Sequence, residues 1–173
     1  MFGRHILGML LVTLPIGMAH AIPVTMNFTA TDVTCVFCSL TAPYDQVSGQ
    51  FIWDASSVNS NINSLTAVSL TVDGYEYTLG ELDFVSNDVE DLIYGTVDGR
   101  GVTLLDNDFF ISWDKNTLTP FIFIFASTNI TGQAWASDTF TEFTITAASV
   151  PEPATLVLMG VGLAALGFMR RQT

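Results

Sequence analysis

The sequence predicts an all-β domain, an antiparallel β-sandwich of jelly-roll or Ig-like type, with a closed barrel as the alternative. Apolar and polar residues alternate in several short stretches, which is the period-two pattern of half-buried strands. Turn residues separate these stretches at regular spacing, as in sandwiches and barrels. No stretch of the middle shows a sustained 3.6-residue apolar pattern, so helix should be short there, and Asn87 to Leu92 is its best candidate.

The clearest strands flank turn signals. Every second side chain in residues 47–54 is apolar or glycine, and residues 68–72 alternate in the same way before Asp73-Gly74. Asp-Gly is typical of a two-residue hairpin loop because both loop positions adopt positive φ. A second hairpin is predicted with its turn at residues 98–101.

Two later strands have features of their own. Residues 121–125 are apolar throughout, as expected of a central strand covered on both faces. In the last strand Phe140 lies in one phase and Phe143 and Ile145 in the other, so this strand should contain a bulge or start late. About eight to ten strands are expected in all.

The charge of the central part is strongly one-sided. Arg100 and Lys115 stand against 16 carboxylates between Asp32 and Glu142. Because such a surface repels phosphate backbones, nucleic acid is excluded as a partner. The charge is expected to keep the protein soluble and apart from its neighbours; the alternative is that it binds divalent cations.

Histidine is confined to His5 and His20. If a signal peptidase cuts after Ala21, the exported protein contains no histidine, which excludes Ser-His-Asp and Cys-His catalysis and His-ligated metal sites. A glycosidase that uses two carboxylates needs no histidine. No feature selects one carboxylate pair, so no catalytic residue is predicted.

The first 21 residues have the order of parts of a secretory signal peptide. Arg4 is the positive start, residues 6–18 are apolar, and Ala19-His20-Ala21 has the small-x-small form of a signal peptidase site. We expect a signal helix, export by the secretion machinery and cleavage after Ala21. The alternative is a buried N-terminal helix.

The C-terminal segment is apolar and ends in positive charge. Residues 154–169 carry no charge and as a helix would span about 24 Å, short of a bilayer core of about 30 Å. Arg170 and Arg171 follow, and the positive-inside tendency keeps them in the cytoplasm. We therefore expect a C-terminal transmembrane helix that holds the protein transiently in the inner membrane, with the central part outside.

Three parts follow one another here: the motif Val150-Pro151-Glu152-Pro153, the apolar segment 154–169, and Arg170-Arg171. In this order they resemble a PEP-CTERM sorting domain. The resemblance implies processing by exosortase, a membrane protease or transpeptidase of Gram-negative bacteria, and sorting to the cell surface or exopolysaccharide matrix. The two prolines disfavour helix and keep the motif extended, as a protease requires. The alternative is a plain anchor that is never cut.

Three segments are therefore expected: a signal peptide at 1–21, an extracellular β-domain at 22–149 and a sorting tail at 150–173. Residues 47–54 also resemble, loosely, a first-strand segment of β-domains that precede PEP-CTERM tails. That likeness implies no activity.

Cys35 and Cys38 are the only cysteines. An exported chain favours a local structural disulfide between them. Redox activity and free thiols are the alternatives, although no βαβ pattern accompanies the CxxC spacing. Two cysteines without histidine do not complete an ordinary zinc site.

Two acidic segments could bind calcium through hard oxygen ligands. The weak candidates are Asp88, Glu90, Asp91, Asp106 and Asp108. Neither segment has EF-hand spacing, and Asp and Asn are also common in turns. No cofactor is otherwise expected.

Aromatic side chains could form a platform for sugars. The candidates are Trp53, Trp113, Trp135, Tyr44, Tyr75, Tyr77 and Tyr94. Trp53 and Trp113 lie in the apolar phase of their strands and are expected in the core. Trp135 follows a Gly-Gln turn and is the better candidate for exposure.

The leading hypothesis is a non-enzymatic surface or matrix protein that binds or fills exopolysaccharide. Its expected partners are exosortase, signal peptidase and the secretion machinery, and transiently the inner membrane. A secreted carbohydrate-active enzyme and a calcium-stabilised adhesin are the alternatives. The adhesin would require acidic loops that converge at one end.

Overall fold

The computed structural model describes residues 21–36, 41–42, 44–96, 103, 106–130, 133–149, 160 and 162–163. Within this part the chain forms eleven strands: β1 (Ile22–Thr31), β2 (Thr34–Cys35), β3 (Gln46–Ala55), β4 (Ser64–Val72), β5 (Tyr75–Glu76), β6 (Leu82–Ser86), β7 (Glu90–Gly95), β8 (Asp108–Asp114), β9 (Thr119–Ala126), β10 (Ala134–Ser137) and β11 (Thr139–Ala147). Short 3₁₀ turns lie at Leu79–Glu81 and Thr128–Ile130.

The strands form two antiparallel sheets. The first sheet has the order β11-β1-β3-β4-β5, and the second has the order β2-β10-β9-β8-β7-β6. The prediction of an all-β antiparallel fold is confirmed. The two sheets do not close into a barrel, so that alternative is wrong, while the jelly-roll or Ig-like type stays a prediction.

Aromatic rings hold the sheets face to face. Their centroids lie 5.2 Å apart for Phe28 and Phe123, and 5.7 Å apart for Trp53 and Trp113. All four side chains are at most 1% exposed. Trp53 and Trp113 therefore belong to the core, as predicted from their phase.

The Asp73-Gly74 hairpin is confirmed. Val72 of β4 lies opposite Tyr75 of β5, and the two loop residues have φ values of 53° and 78°. Both signs are positive, as a type I′ loop requires.

The irregularity of the last strand is confirmed as well. In the pairing of β1 with β11, Thr29 lies opposite Glu142 but Ala30 lies opposite Phe140. One extra residue of β11 therefore stands between them, and this bulge brings Phe140 and Phe143 to the same inner side.

Two local predictions are wrong: the helix at residues 87–92 and the cover of β9 on both faces. Residues 87–89 form a bend rather than a helix, because the Asn87 Oδ1 accepts the N–H groups of Val89 and Glu90 at 2.8 Å each. Glu90 then begins β7.

The apolar run in β9 is not covered on both faces. Phe123 and Phe125 are fully buried, but Phe121 is 44% exposed and the side chains of Ile122 and Ile124 are half-buried. β9 is internal to its sheet, yet only one face of that sheet packs on the other. The turn predicted at 98–101 lies outside the described residues.

The two predicted membrane-related helices fall almost wholly outside the described residues. Gly160, Gly162 and Leu163 are helical. Over the described positions, no helix is long and apolar enough to cross a bilayer.

Candidate functional site

The two ends of the β-domain lie side by side. β1 begins at Ile22 and β11 ends at Ala147, and these strands are antiparallel neighbours in the first sheet. Beyond the ladder, the Ala148 N–H donates to the Pro23 carbonyl oxygen at 2.8 Å. We call this end of the sandwich the terminal pole and the opposite end, with the Asp73-Gly74 turn, the distal pole.

Both predicted processing segments join the domain at the terminal pole. Ala21 precedes β1 and is exposed, and Ser149 follows β11 and is exposed too. Each lies within about 7 Å of extended chain from the bond between Pro23 and Ala148. Ala19, the other residue of the predicted signal cleavage motif, lies outside the described residues.

A buried lysine is hydrogen-bonded to the loops of the terminal pole. Lys115 lies in the turn between β8 and β9 and is only 4% exposed. Its Nζ donates to the Asn61 Oδ1 at 2.5 Å and to the Asn87 carbonyl oxygen. One ammonium thus joins the β3–β4 loop, the β6–β7 bend and the β8–β9 turn.

Further hydrogen bonds fix the same three segments. The Asn59 Nδ2 donates to the carbonyl oxygens of Lys115 at 2.9 Å and Asn116 at 3.1 Å. The Lys115 N–H donates to the Val89 carbonyl oxygen at 2.9 Å. The polar loop at residues 56–63, which joins two strands of the first sheet, is therefore linked by hydrogen bonds to two turns of the second sheet. We call this set of contacts the clamp.

Asp91 lies beside this clamp. It is 1% exposed; its Oδ1 accepts the Ser86 hydroxyl, and its Oδ2 has no hydrogen-bond partner. The Ser86 Oγ in turn accepts the Ile62 N–H at 3.2 Å, which places Asp91 next to the β3–β4 loop. Desolvation by burial raises the pKa of Asp91, and the Ser86 hydrogen bond and the charge of Lys115 oppose that rise only in part.

The five calcium candidates do not converge. Asp88, Glu90 and Asp91 lie at the terminal pole, near the start of β7, whereas Asp106 and Asp108 lie at the distal pole, near the start of β8. Nowhere in the described residues do three or more His, Cys, Asp or Glu side chains form a group that could hold a metal ion. The convergence that a calcium-stabilised adhesin requires is not found among these residues.

Most of these carboxylates accept hydrogen bonds from other groups of the protein. The Asp108 Oδ2 accepts the Thr103 N–H at 2.7 Å and the Thr103 hydroxyl at 2.9 Å. The same hydroxyl lies 3.2 Å from the Asp106 Oδ2. These two carboxylates therefore hold Thr103 near the start of β8.

A second network closes the distal pole. The Asp73 Oδ1 accepts the Tyr44 hydroxyl at 2.6 Å, and its Oδ2 accepts the Ser127 hydroxyl. The Asn129 Nδ2 donates to the Asp73 carbonyl oxygen at 3.0 Å. Burial alone would raise the pKa of Asp73, but the hydrogen bonds from Ser127 and Tyr44 outweigh it and lower that pKa.

The aromatic platform is not formed. Trp135 is 1% exposed, so its predicted exposure is wrong, and Trp53, Trp113 and Tyr77 are buried as well. Trp135 lies in β10 opposite Phe125, on the face that meets the other sheet. Only Tyr44, Tyr75 and Tyr94 remain partly accessible.

Cys35 lies in β2, and its Sγ is 3.4 Å from the Gln133 Oε1. It is not a free thiol. Cys38 lies outside the described residues, so the bond between the two cysteines stays a prediction.

Comparison with known proteins identifies the tail. Residues 149–171 match the model of the PEP-CTERM protein-sorting motif. The chain therefore has the sorting signal of an exported protein that exosortase targets, as its sequence predicted. Val150, Pro151, Glu152, Pro153, Arg170 and Arg171 all lie in the matched range, outside the described residues. No curated protein matches this chain.

Sequence reasoning missed the clamp around Lys115. The available signal was a lone lysine directly after a strand of buried residues in a strongly acidic domain. Its partners Asn61 and Asn87 are 54 and 28 positions away, and no local pattern indicates them.

Proposed function

We propose that this chain is a non-enzymatic component of the cell surface or exopolysaccharide matrix. A signal peptide directs its export, and the C-terminal segment holds it in the inner membrane until exosortase processes it near Pro151-Glu152-Pro153. The β-domain is then displayed or released. The observation that supports this order most directly is the sorting motif, which begins two residues after the end of β11.

The geometry of the terminal pole supports a membrane-held precursor. Because Pro23 and Ala148 are hydrogen-bonded, segments that precede β1 and follow β11 can reach the same patch of membrane without distorting the sandwich. Pro151 and Pro153 disfavour helix in the residues before them, so we expect the motif to reach a protease as an extended segment.

Intact mass spectrometry of the protein from culture supernatant and from envelope tests the processing. We expect a species that lacks residues 1–21 and ends near Val150. Glu152→Ala should leave the C-terminal segment on the protein, and Glu142→Ala, which changes an exposed carboxylate of β11, should be processed normally. A wild-type protein that keeps Thr173 in the membrane fraction would make the tail a plain anchor.

The outer face of the first sheet supports contact with polysaccharide. It presents hydroxyl and amide groups in a shallow depression, where the Gln50 Nε2 donates to the Asn27 Oδ1 at 2.7 Å and the oxygens of Thr29 and Ser48 lie 2.9 Å apart. Such groups can exchange their mutual hydrogen bonds for bonds to sugar hydroxyls.

Native electrophoresis through gels that contain the host exopolysaccharide tests this contact. Retardation should be lost in Asn27→Ala/Gln50→Ala and kept in Val85→Ala, a change on the exposed edge of the second sheet. Equal retardation of both variants would remove this face from consideration and leave a purely structural role.

A further inference from the structure

The terminal pole brings an amine, a carboxamide and a carboxylic acid together. The Lys115 Nζ contacts the side-chain amide of Asn61 at 2.5 Å from its Oδ1, and Asp91 lies beside them through Ser86 and Ile62. We propose that Lys115 and Asn61 form an intramolecular isopeptide bond, with Asp91 as the group that moves the proton.

The reaction needs no co-reactant. Asp91 takes one proton from the Lys115 ammonium, and the amine so formed attacks the Asn61 Cγ. The new Nζ–Cγ bond forms, and the Cγ–Nδ2 bond breaks. The side-chain nitrogen of Asn61 leaves as ammonia, which takes up the proton displaced from Nζ. The product is a secondary amide between the two side chains, and no oxidation or reduction occurs.

Asp91 has the properties that this proton transfer requires. It is almost fully buried, its Oδ2 has no hydrogen-bond partner, and it is near enough to Lys115 for that charge to oppose the rise of its pKa that burial causes. Burial raises the pKa of Asp91 and so favours its acid form over the carboxylate. Asp91 can therefore take a proton from the lysine and return it to the leaving nitrogen, so that it ends unchanged.

The surroundings favour attack over hydrolysis. Lys115 and Ile62 are 4% exposed, and Trp113, which lies opposite Asp91 in the pairing of β7 with β8, is fully buried. Asn61 lies on the solvent side of the pair, which gives ammonia a route out. Because the two reacting groups are already in contact, the reaction avoids most of the entropic cost that makes an uncatalysed amide exchange slow.

The position of the bond suits an exported protein. It would join the β3–β4 loop of the first sheet to the β8–β9 turn of the second, across 54 positions of sequence. A covalent link over such a loop restricts the unfolded chain. It would also join the two sheets at the pole where β11 ends and the tail begins.

A non-covalent hydrogen bond from the ammonium to the Asn61 carbonyl oxygen is the competing interpretation. It uses the same contact but leaves the mass of the chain unchanged and the lysine free. Peptide masses therefore separate the two interpretations, independently of how either end of the chain is processed.

Trypsin offers a direct test, because Arg100 and Lys115 are the only basic residues of the central part. In the denatured wild-type protein we expect cleavage after Arg100 but not after Lys115. The fragments on either side of Arg100 should remain joined, with a mass lower than their sum by one ammonia. Release of a free peptide 101–115 at full mass would overturn the proposal.

Variants define the roles of the three groups. Lys115→Arg should abolish the mass loss, and Asn61→Asp should replace the loss of ammonia by loss of water, since a carboxylic acid then reacts. Asn63→Ala, which changes an exposed amide of the same loop, should keep the ammonia loss. Asp91→Asn should slow or stop bond formation, and an undiminished yield would remove Asp91 from the reaction.

Discussion

Replacing Trp135 with alanine should destabilise the domain strongly, because its ring belongs to the core. The indole is 1% exposed and lies opposite Phe125, which is fully buried. Truncating a buried tryptophan costs about 3–5 kcal/mol in lost transfer energy and residual cavity. The Trp135 Nε1 has no hydrogen-bond partner, and relief of that desolvation returns about 1 kcal/mol. The expected net loss is about 2–4 kcal/mol, a large part of a stability of about 5–15 kcal/mol.

Urea unfolding followed by tryptophan fluorescence and far-UV circular dichroism measures this loss. With a slope of about 2 kcal/mol per molar urea, the midpoint should fall by about 1–2 M. Val85→Ala provides the control, since Val85 is 51% exposed and its truncation should shift stability by no more than about 0.5 kcal/mol. An unchanged midpoint in Trp135→Ala would show that the ring is not packed between the sheets.

Three further experiments test other parts of the fold. Gly95→Ala would place a Cβ 2.4 Å from the Phe109 Cε1 and should cost about 1–3 kcal/mol in urea unfolding, whereas Gly80→Ala meets no atom within 4 Å and should be neutral. Asp73→Asn keeps a side chain that tolerates positive φ but removes a carboxylate with a lowered pKa. Because a lowered pKa stabilises the fold above the unfolded value of about 3.9, the wild type should lose more stability than the variant as pH falls below about 4. Equal acid sensitivity of the two proteins would contradict that account. Both cysteines should resist alkylation in denaturant until reductant is added, and labelling without reductant would rule out the disulfide.

Local signals predicted the parts of the fold that are local. The Asp73-Gly74 hairpin pairs residues next to each other in sequence, and its two positive φ values follow from the residue types. The alternation in β3 gave the buried set because one face of that strand meets the core. Prediction failed at Asn87, whose side chain caps a bend, and in β9, where an apolar run predicts cover on both faces but only one face packs on the other sheet.

The candidate site also has a part that the sequence predicts and a part that it does not. The sorting motif is recognisable because its parts are contiguous, and no folding is needed to read them. The predicted exposure of Trp135 is wrong because a nearby turn does not determine on which face of a sheet a side chain lies. The clamp around Lys115 depends on Asn61, which reaches it only after β3 and β4 have joined one sheet and β8 and β9 the other. A lone lysine in an acidic sequence suggests a side chain exposed to solvent. Lys115 becomes buried and contacts an amide only when three loops assemble around it.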